Sequence, residues 1–294
     1  MTERPSKLRR LSSLDSIATA ILNEIDDDVS IGRKSHLNLF MGSSYIPKEN
    51  EFKPKGEDAH FICENQQVFG VADGVGSWAK KGIDAGKYAR ELMSNCVMAV
   101  EDEVVGSAVN PLSVLEEAFS NTHSEGSSTA CIVAMSDDNC LHYANVGDSG
   151  FIVIRGEELI YCTTSQQRRF NCPFQLGKHS DNPSVAIESK VEVEEGDIIV
   201  AGTDGLFDNL FQQEIFEIVT EFTDLIGMYP YFVARLIAKE AEMSSRDCNR
   251  ESPFSISAEN AGYYHPGGKK DDITVVVAHV VSSFGEICER TDTC

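Results

Sequence analysis

Aspartates recur at the ends of short apolar runs, and this recurrence restricts the folds that the chain can adopt. The stretch FGVADGVGSW (69–78) ends an apolar run at Asp73, and DIIVAGTDGLFDNL (197–210) does the same at Asp204. One Asp-Gly pair is typical of a simple turn. Two further acids lie between or before apolar runs, namely Asp148 and Asp271. We therefore expect several strands that each present a carboxylate at an end that is held by the scaffold and open to solvent.

Hydrophobic periodicity predicts an α+β chain in which antiparallel sheets are covered by helices. Alternating or short apolar runs bounded by turn residues predict strands at 60–63, 68–72, 129–135, 141–146, 151–155, 158–162, 197–202 and 273–280. Helical spacing and capping residues predict helices at 84–103, 110–123, 212–222 and 230–245, with Asp84 and Asn110 as N-caps. Because strands follow one another directly and helices come in pairs, a βαβ array is disfavoured.

The sequence pattern divides the chain into one large domain and two short tails. Residues 36–282 have the pattern of one domain, 1–35 form an expected flexible N-terminal tail, and 283–294 form a C-terminal tail. The N-terminal tail mixes basic and acidic runs, which disfavours a transit peptide because such peptides avoid acids. It also contains LRRLSS, a candidate kinase site at Ser12 or Ser13.

Composition excludes several classes of protein. The formal net charge of −22 argues against a nucleic-acid partner, since phosphate contacts require Lys and Arg. Nine cysteines without a CxxC pair indicate a reducing, intracellular compartment rather than a disulfide framework. No apolar stretch has the length of a membrane span or a secretory signal. We expect a monomer.

The strand-end acids suggest a cation site, provided that they meet in space. Two carboxylates about 4 Å apart repel by about 4 kcal/mol at an effective dielectric of about 20. Cations or protons relieve this repulsion, and a set of oxygen ligands alone suits Mg²⁺ or Mn²⁺. The glycine after Asp73 and after Asp204 would let a backbone carbonyl approach an ion. We therefore hypothesise a binuclear metal centre, with a solvated acidic surface as the alternative.

Six motifs in one order resemble the metal-dependent (PPM, type 2C) Ser/Thr protein phosphatases. They are GEDAHF, VFGVADGVGSW, GSSTACIVAM, ANVGDSGFIV, GDIIVAGTDGLFDN and KKDDITVVV, and the resemblance covers nearly all of residues 56–280. QQRRFNCPFQL and ESPFS are similar to the organelle-associated branch of that family. The resemblance implies the α+β fold of that family, in which two antiparallel β-sheets pack as a sandwich flanked by helices. It also implies a location in a mitochondrion or plastid, with the cytoplasm as the alternative.

The resemblance assigns roles to individual acids. Asp73 would bridge two Mn²⁺ or Mg²⁺ ions, and Gly74 would offer its carbonyl to the first ion. Ligands of the second ion would be Asp204 and Asp271. The remaining metal-site residues would be Glu57, which holds a water, Asp58 behind the ligands, and Asp148, which with Asp204 holds a weakly bound third ion. Asp272 lies where many members have Asn, so we interpret it as a cap of the last strand rather than a ligand.

Two departures from the family concern phosphate and proton handling. Many members carry an Arg that grips phosphate where this chain has Lys53, with Lys55 nearby, and Lys lacks the bidentate fork of Arg. Many members also have an Asp-Gly-His motif whose His is a proposed general acid. This chain has Val75 in that place, and Val75 cannot transfer a proton.

The resemblance therefore implies a protein serine/threonine phosphatase whose substrates are phosphorylated proteins. A metal-activated water would attack phosphorus in line, with Asp73 and Asp204 at the centre of the catalytic set. Two alternatives stay open at this point. One is a pseudophosphatase that binds phosphoproteins or regulates a partner, and the other is a metallohydrolase of small phosphate esters.

Overall fold

The structure is a computed structural model that describes residues 36–48, 55–103, 107–227 and 229–283. Residues Leu37–Ser283 form one compact unit. The predictions made for the tail, for Ser12 and Ser13 and for Lys53 concern residues outside these ranges. No helix among the described residues is long and apolar enough to cross a membrane.

Two five-stranded antiparallel sheets form the centre of the unit. In spatial order the first sheet contains β1 (His36–Ile46), β12 (Ile273–Ser283), β11 (Ile198–Gly202), β6 (Gly150–Arg155) and β7 (Glu158–Cys162). The second contains β10 (Ile187–Glu192), β5 (Cys140–Val146), β4 (Ala130–Met135), β3 (Val68–Asp73) and β2 (Asp58–Cys63). A two-stranded ribbon, β8 (Gln167–Arg169) with β9 (Cys172–Pro173), stands apart from both.

The two sheets pack face to face over a shared apolar core. Alternate residues of each central strand point into this core, as the period of two requires. The second sheet contributes Phe69 and Val71 from β3, and the first contributes Phe151 from β6 and Ile199 from β11. All four side chains are fully buried. The two-sheet sandwich that the family resemblance implied is therefore confirmed.

Helices cover the outer faces of both sheets. The second sheet is covered by α1 (Ala85–Glu101) and α2 (Pro111–Asn121), whose N-terminal N–H groups are capped by the side chains of Asp84 and Asn110, as predicted. Five helices follow β11, and the apolar residues of the longer ones form a core with the outer face of the first sheet. They are α3 (Asp204–Phe207), α4 (Gln212–Glu221), α5 (Thr223–Ile226), α6 (Pro230–Arg246) and α7 (Pro253–Asn260).

Each predicted strand and helix is present within a few residues of its predicted bounds, but several elements were missed. β10 has the sequence IESKVE and is mostly exposed, so an edge strand of this kind carries almost no hydrophobic signal. α7 is eight residues long and contains three polar positions in its first turns, which hides its apolar face. β1, which pairs with β12 at the edge of the first sheet, was also missed.

Candidate active site

The pairing of β2 with β3 places the first two acids side by side. Asp58, the first residue of β2, lies directly opposite Asp73, the last residue of β3. The backbone N–H of Asp73 donates to the Thr129 hydroxyl at 3.0 Å, and its carbonyl accepts the Thr129 N–H at 2.9 Å. Asp73 is therefore held at the strand end by the neighbouring strand, with its carboxylate free to face other groups.

Asp58 connects the two sheets. Its Oδ2 accepts hydrogen bonds from the hydroxyls of Thr203 and Thr274, each at 2.8 Å, and both threonines belong to the first sheet or its connection. Its Oδ1 is buried and has no hydrogen-bond partner among the described residues. Burial, followed by repulsion from Asp272, raises the pKa of Asp58 well above its usual value. One oxygen is thus fixed by the protein, and the other is left for a cation or a proton.

The acids that follow β11 lie on the short helix α3. Asp204 is its first residue, and Asp208 follows one helical turn later, so both carboxylates lie on the same face. The Lys269 ammonium bonds to Asp204 and to Asp208 Oδ2, the latter at 2.7 Å. It also lies 3.2 Å from Asp271 Oδ2. A lysine cation therefore joins three carboxylates of the site.

Asp148 lies at the turn between β5 and β6, on the side of the site that borders a cavity. Its Oδ2 accepts a hydrogen bond from Gln167 Nε2 at 3.0 Å, whereas its buried Oδ1 has no partner among the described residues. The cavity has a volume of about 490 Å³. Its wall includes Asp148 and four apolar residues of α3, the α3–α4 connection and the start of α7. These are Phe207, Leu210, Phe211 and Pro253.

Two glycines allow the backbone to approach closely within the site. A Cβ on Gly74 would lie 2.6 Å from the Glu57 carbonyl oxygen and 2.8 Å from the Ala85 carbonyl. A Cβ on Gly205 would lie 1.9 Å from the Asp272 carbonyl oxygen. The glycines after the strand-end aspartates are therefore required for packing, in addition to any carbonyl that they offer to an ion.

The carboxylates of the site act on one another electrostatically. Burial, followed by repulsion from Asp204 and Asp58, raises the pKa of Asp73 well above its usual value. Burial and repulsion from Asp204 and Asp208 raise the pKa of Asp148 to about 8. These shifts arise because the charged forms are buried close together.

Asp208 and Asp271 follow the same trend, moderated by Lys269. Burial raises the pKa of Asp208, Lys269 lowers it and Asp204 raises it, with a result of about 7. Burial and Asp204 raise the pKa of Asp271, against the opposing charges of Lys269 and Lys48. For Lys269 itself, burial lowers the pKa, but its three acidic neighbours outweigh burial and raise the pKa well above its usual value.

Asp272 is a structural anchor of the site. Its Oδ1 accepts the Tyr45 hydroxyl at 2.8 Å and the Lys48 backbone N–H at 2.9 Å, and its Oδ2 accepts the Glu57 N–H at 3.0 Å. Its side chain therefore accepts hydrogen bonds from the segment before residues 49–54 and from the segment after them. This agrees with its interpretation as a residue other than a ligand, although it holds a wider region than the last strand.

The structure brings together most of the site residues predicted from sequence. Asp58, Asp73, Asp148, Asp204 and Asp271 interact directly or electrostatically. Gly74 adjoins them, bonded through its N–H to the Glu57 carbonyl at 3.1 Å. Lys55 has an exposed side chain. Its carbonyl accepts the Tyr45 hydroxyl, and its role toward phosphate stays a prediction.

Four participants were missed from sequence: Asp208, Lys269, Thr203 and Thr274. Asp208 lies four residues after Asp204, so helical spacing after the strand end could have identified it. The threonines and Lys269 carry no local signal, because their roles depend on contacts with acids far away in the chain.

The donor chemistry of the cluster fits a hard divalent cation. All of its donors are oxygens, and the buried Oδ1 atoms of Asp58, Asp148 and Asp204 have no hydrogen-bond partner among the described residues. Across those same residues no three His, Cys, Asp or Glu side chains are already arranged as a metal-ion cage. The Lys269 ammonium instead lies between Asp204, Asp208 and Asp271. The residues present thus fit such an ion in their chemistry, with a lysine cation among them.

Comparison with known proteins places this site in a family. The family described as stage II sporulation protein E (SpoIIE) matches residues 64–281. The chain is 49% identical over 252 residues to "Probable protein phosphatase 2C 55" of Arabidopsis thaliana, which covers 85% of this chain and 53% of that protein. It is 37% identical over 264 residues to "Probable protein phosphatase 2C 26" of the same plant, covering 86% of that protein. The chain spans between half and two thirds of the length of the first two curated relatives that it matches.

Solved structures agree with this assignment. The photosystem II phosphatase PBCP superposes with a TM-score of 0.74 at 34% identity, covering 82% of this chain and 98% of that one. The catalytic domain of the serine/threonine phosphatase PstP, solved with two manganese ions, superposes with a TM-score of 0.56 at 17% identity and supports the fold. The ordered motifs, the sandwich and the convergence of acids at its strand ends agree with these likenesses, and the chain belongs to the PPM (type 2C) protein phosphatase family.

Proposed function

We propose that this chain is a metal-dependent protein serine/threonine phosphatase. The observation that carries the proposal is the convergence of Asp58, Asp73, Asp148, Asp204 and Asp271 at one end of the sandwich. Repulsion among these buried carboxylates lowers the stability of the folded state. The cluster is therefore best explained by a cation that it binds. Membership in the type 2C family supports the same reaction.

The proposed metal ligands are the residues of the predicted site. Asp73 would contact both ions and the Gly74 carbonyl the first. Asp204 and Asp271 would contact the second, with Glu57 and Asp58 behind these ligands. When bound, two Mn²⁺ or Mg²⁺ ions would activate a water and offset the charge of a phosphoryl group. Thr129 fixes the backbone of Asp73, and Thr203 with Thr274 fixes one oxygen of Asp58, so these side chains orient the acids.

The cavity beside Asp148 favours a protein substrate over a small phosphate ester. Phe207, Leu210, Phe211 and Pro253 form an apolar part of its wall, and it shares Asp148 with the acidic cluster. An apolar side chain next to the phosphorylated residue would bury its surface there, a gain that a small ester lacks. Lys55, with its exposed amine two residues before Glu57, is the proposed phosphate contact, together with Lys53.

Turnover of a phosphoserine peptide and of p-nitrophenyl phosphate by the full chain tests the proposal. Activity should depend on Mn²⁺ or Mg²⁺, be abolished by EDTA and be restored when metal is returned. Release of phosphate from the peptide under these conditions supports a protein phosphatase. Turnover of p-nitrophenyl phosphate alone, uninhibited by phosphopeptide, would indicate a small-ester hydrolase. Binding of phosphopeptide with no turnover in any metal would indicate a pseudophosphatase.

We also propose that the protein acts in an organelle, most specifically a plastid. This rests on its likeness to the photosystem II phosphatase PBCP, at 34% identity over nearly all of that chain, and to Arabidopsis relatives. A fluorescent fusion of the complete protein expressed in leaf cells tests the location. Fluorescence that coincides with chlorophyll supports a plastid, and fluorescence confined to mitochondria or cytoplasm contradicts it.

A further inference from the structure

Lys269 forms ion pairs with three carboxylates of the acidic cluster. Its ammonium contacts the carboxylates of Asp204, Asp208 and Asp271. Its side chain is only 14% exposed, so these contacts form away from bulk water and are screened little by salt. This differs from a surface ion pair, in which both partners remain solvated.

The backbone of Lys269 is clamped by a single buried side chain. Asn209 Oδ1 accepts the Lys269 N–H at 2.9 Å, and Asn209 Nδ2 donates to the Lys269 carbonyl at 2.9 Å. The same Asn209 amide group donates to the Gly205 carbonyl at 2.9 Å. Because Gly205 follows Asp204 in α3, one side chain fixes the lysine relative to the acid that it contacts.

The side chain of Lys269 is also directed by packing. Its ammonium lies 5.2 Å from the centre of the Phe254 ring, within the range of a cation–π contact. Phe254 is itself nearly buried, at the start of α7. The Phe254 ring, Asn209 and the three acids therefore all favour one position of the ammonium. A lysine without such contacts has many rotamers of similar energy.

The charge of the cluster leaves room for such a fixed cation. Six carboxylates converge here: Asp58, Asp73, Asp148, Asp204, Asp208 and Asp271. Two divalent ions would offset only part of this negative charge. Asp204 and Asp208 lie one helical turn apart on α3, and the Lys269 ammonium contacts both of them.

We propose that Lys269 is a built-in cation that takes the place of a further divalent ion beside Asp204 and Asp208, so that the site holds two ions and excludes a third. The proposal rests on the metal dependence proposed above. A lysine at this place offsets charge permanently, so the acids beside it stay paired without free metal. Removing the ammonium while keeping its volume should open a cation place bounded by Asp148, Asp204 and Asp208.

Calorimetric titration of the metal-stripped full chain with MnCl₂ tests this proposal. Lys269→Met removes the charge with little change in size. Lys269→Arg keeps the charge, and Lys270→Met makes the same chemical change at the next, exposed residue. We expect the wild type, Lys269→Arg and Lys270→Met to bind about two ions per chain, and Lys269→Met to bind one more. In EDTA, Lys269→Met should unfold at a lower temperature than Lys270→Met, and Mn²⁺ should remove most of that difference.

Equal ion counts and equal affinities in the wild type and Lys269→Met would overturn this proposal and leave the proposed phosphatase activity intact. Absence of Mn²⁺ binding and of turnover in the wild type would instead overturn the proposed function and this inference with it. Lys269→Gln, whose amide still donates hydrogen bonds to the acids, replaces Lys269→Met if the latter does not fold without metal. An unchanged ion count in Lys269→Gln overturns the proposal in the same way.

Discussion

The Asp272 carboxylate accepts the backbone N–H of Glu57 at 3.0 Å, although the two residues are 215 positions apart in the chain. Its second oxygen holds Tyr45 and the Lys48 N–H. Asp272 therefore fixes the backbone at Glu57, directly before Asp58, where the chain leads into the candidate active site. Its neighbour Asp271 faces the acidic cluster instead, so two consecutive aspartates have separate tasks.

Replacing Asp272 tests this structural task. Asp272→Ala leaves the backbone N–H groups of Lys48 and Glu57 without this acceptor, while the Tyr45 hydroxyl keeps the Lys55 carbonyl. We expect the free energy of unfolding to fall by roughly 2–4 kcal/mol. Asp272→Asn keeps one acceptor oxygen and should cost less than half of that. Urea unfolding with and without Mn²⁺ measures both. A variant Asp272→Ala that is as stable as the wild type but binds less Mn²⁺ would identify Asp272 as a ligand.

Removal of one central charge should separate stability from activity. Asp73→Asn relieves repulsion with Asp204 and Asp58, so in EDTA it should stabilise the fold by on the order of 2 kcal/mol. With Mn²⁺ present its turnover of p-nitrophenyl phosphate should fall at least about 10²-fold. Asp138→Asn is the matched control, because Asp138 is paired with Lys190 at 3.0 Å away from the site. If Asp73→Asn destabilises the metal-free protein, the repulsion assigned to this cluster is wrong.

The metal-free protein should lose stability as the pH rises from about 4 to about 8. The pKa of Asp148 is raised to about 8 and that of Asp208 to about 7, whereas an exposed Asp titrates near pH 4. In that window the folded state holds protons that the unfolded chain has released, so unfolding becomes easier with rising pH. Urea unfolding in EDTA between pH 5 and 9 measures the slope. Asp148→Asn should flatten it, and an equally steep slope in that variant contradicts the assignment.

Val75 is expected to limit turnover of substrates with poor leaving groups. It follows Gly74 and is fixed through its N–H to the Ser127 carbonyl at 2.9 Å, next to the acids but without a proton to give. A general acid contributes about 10²–10⁴-fold when the leaving group is an alkoxide and far less for p-nitrophenolate. Val75→His should therefore raise the ratio of phosphoserine-peptide to p-nitrophenyl phosphate turnover by at least about 10-fold.

Single-turnover rates across pH for both substrates measure this effect, with Val75→Leu as the control for size. A wild-type pH profile that already has an acid limb, unchanged in Val75→His, would mean that another residue supplies the proton. Equal effects on the two substrates would mean that position 75 acts through geometry rather than through proton transfer.

Local sequence pattern was sufficient to predict the central strands and the long helices of the scaffold. The alternating residues of β3 and β11 face one core because a strand turns its side chains with a period of two, and Asp84 and Asn110 cap their helices because each precedes an apolar helical repeat. The acids at the ends of these strands could be identified from sequence as well, because the local pattern also locates where each strand ends. Their convergence was expected from the family resemblance, and the paired register of Asp58 with Asp73 gives its geometry.

Only the tertiary structure decided what neighbouring acids do and which cation lies among them. Asp271 and Asp272 are adjacent in sequence, but successive residues entering a strand point to opposite sides, so one meets Lys269 and the other meets Glu57. No sequence pattern distinguishes Lys269 from Lys270. In the structure Asn209, 60 positions away from Lys269, holds Lys269 within the cluster, whereas Lys270 is exposed. Such contacts join residues distant in the chain, and no local periodicity encodes them, because their energies exist only once the sheets and helices have packed.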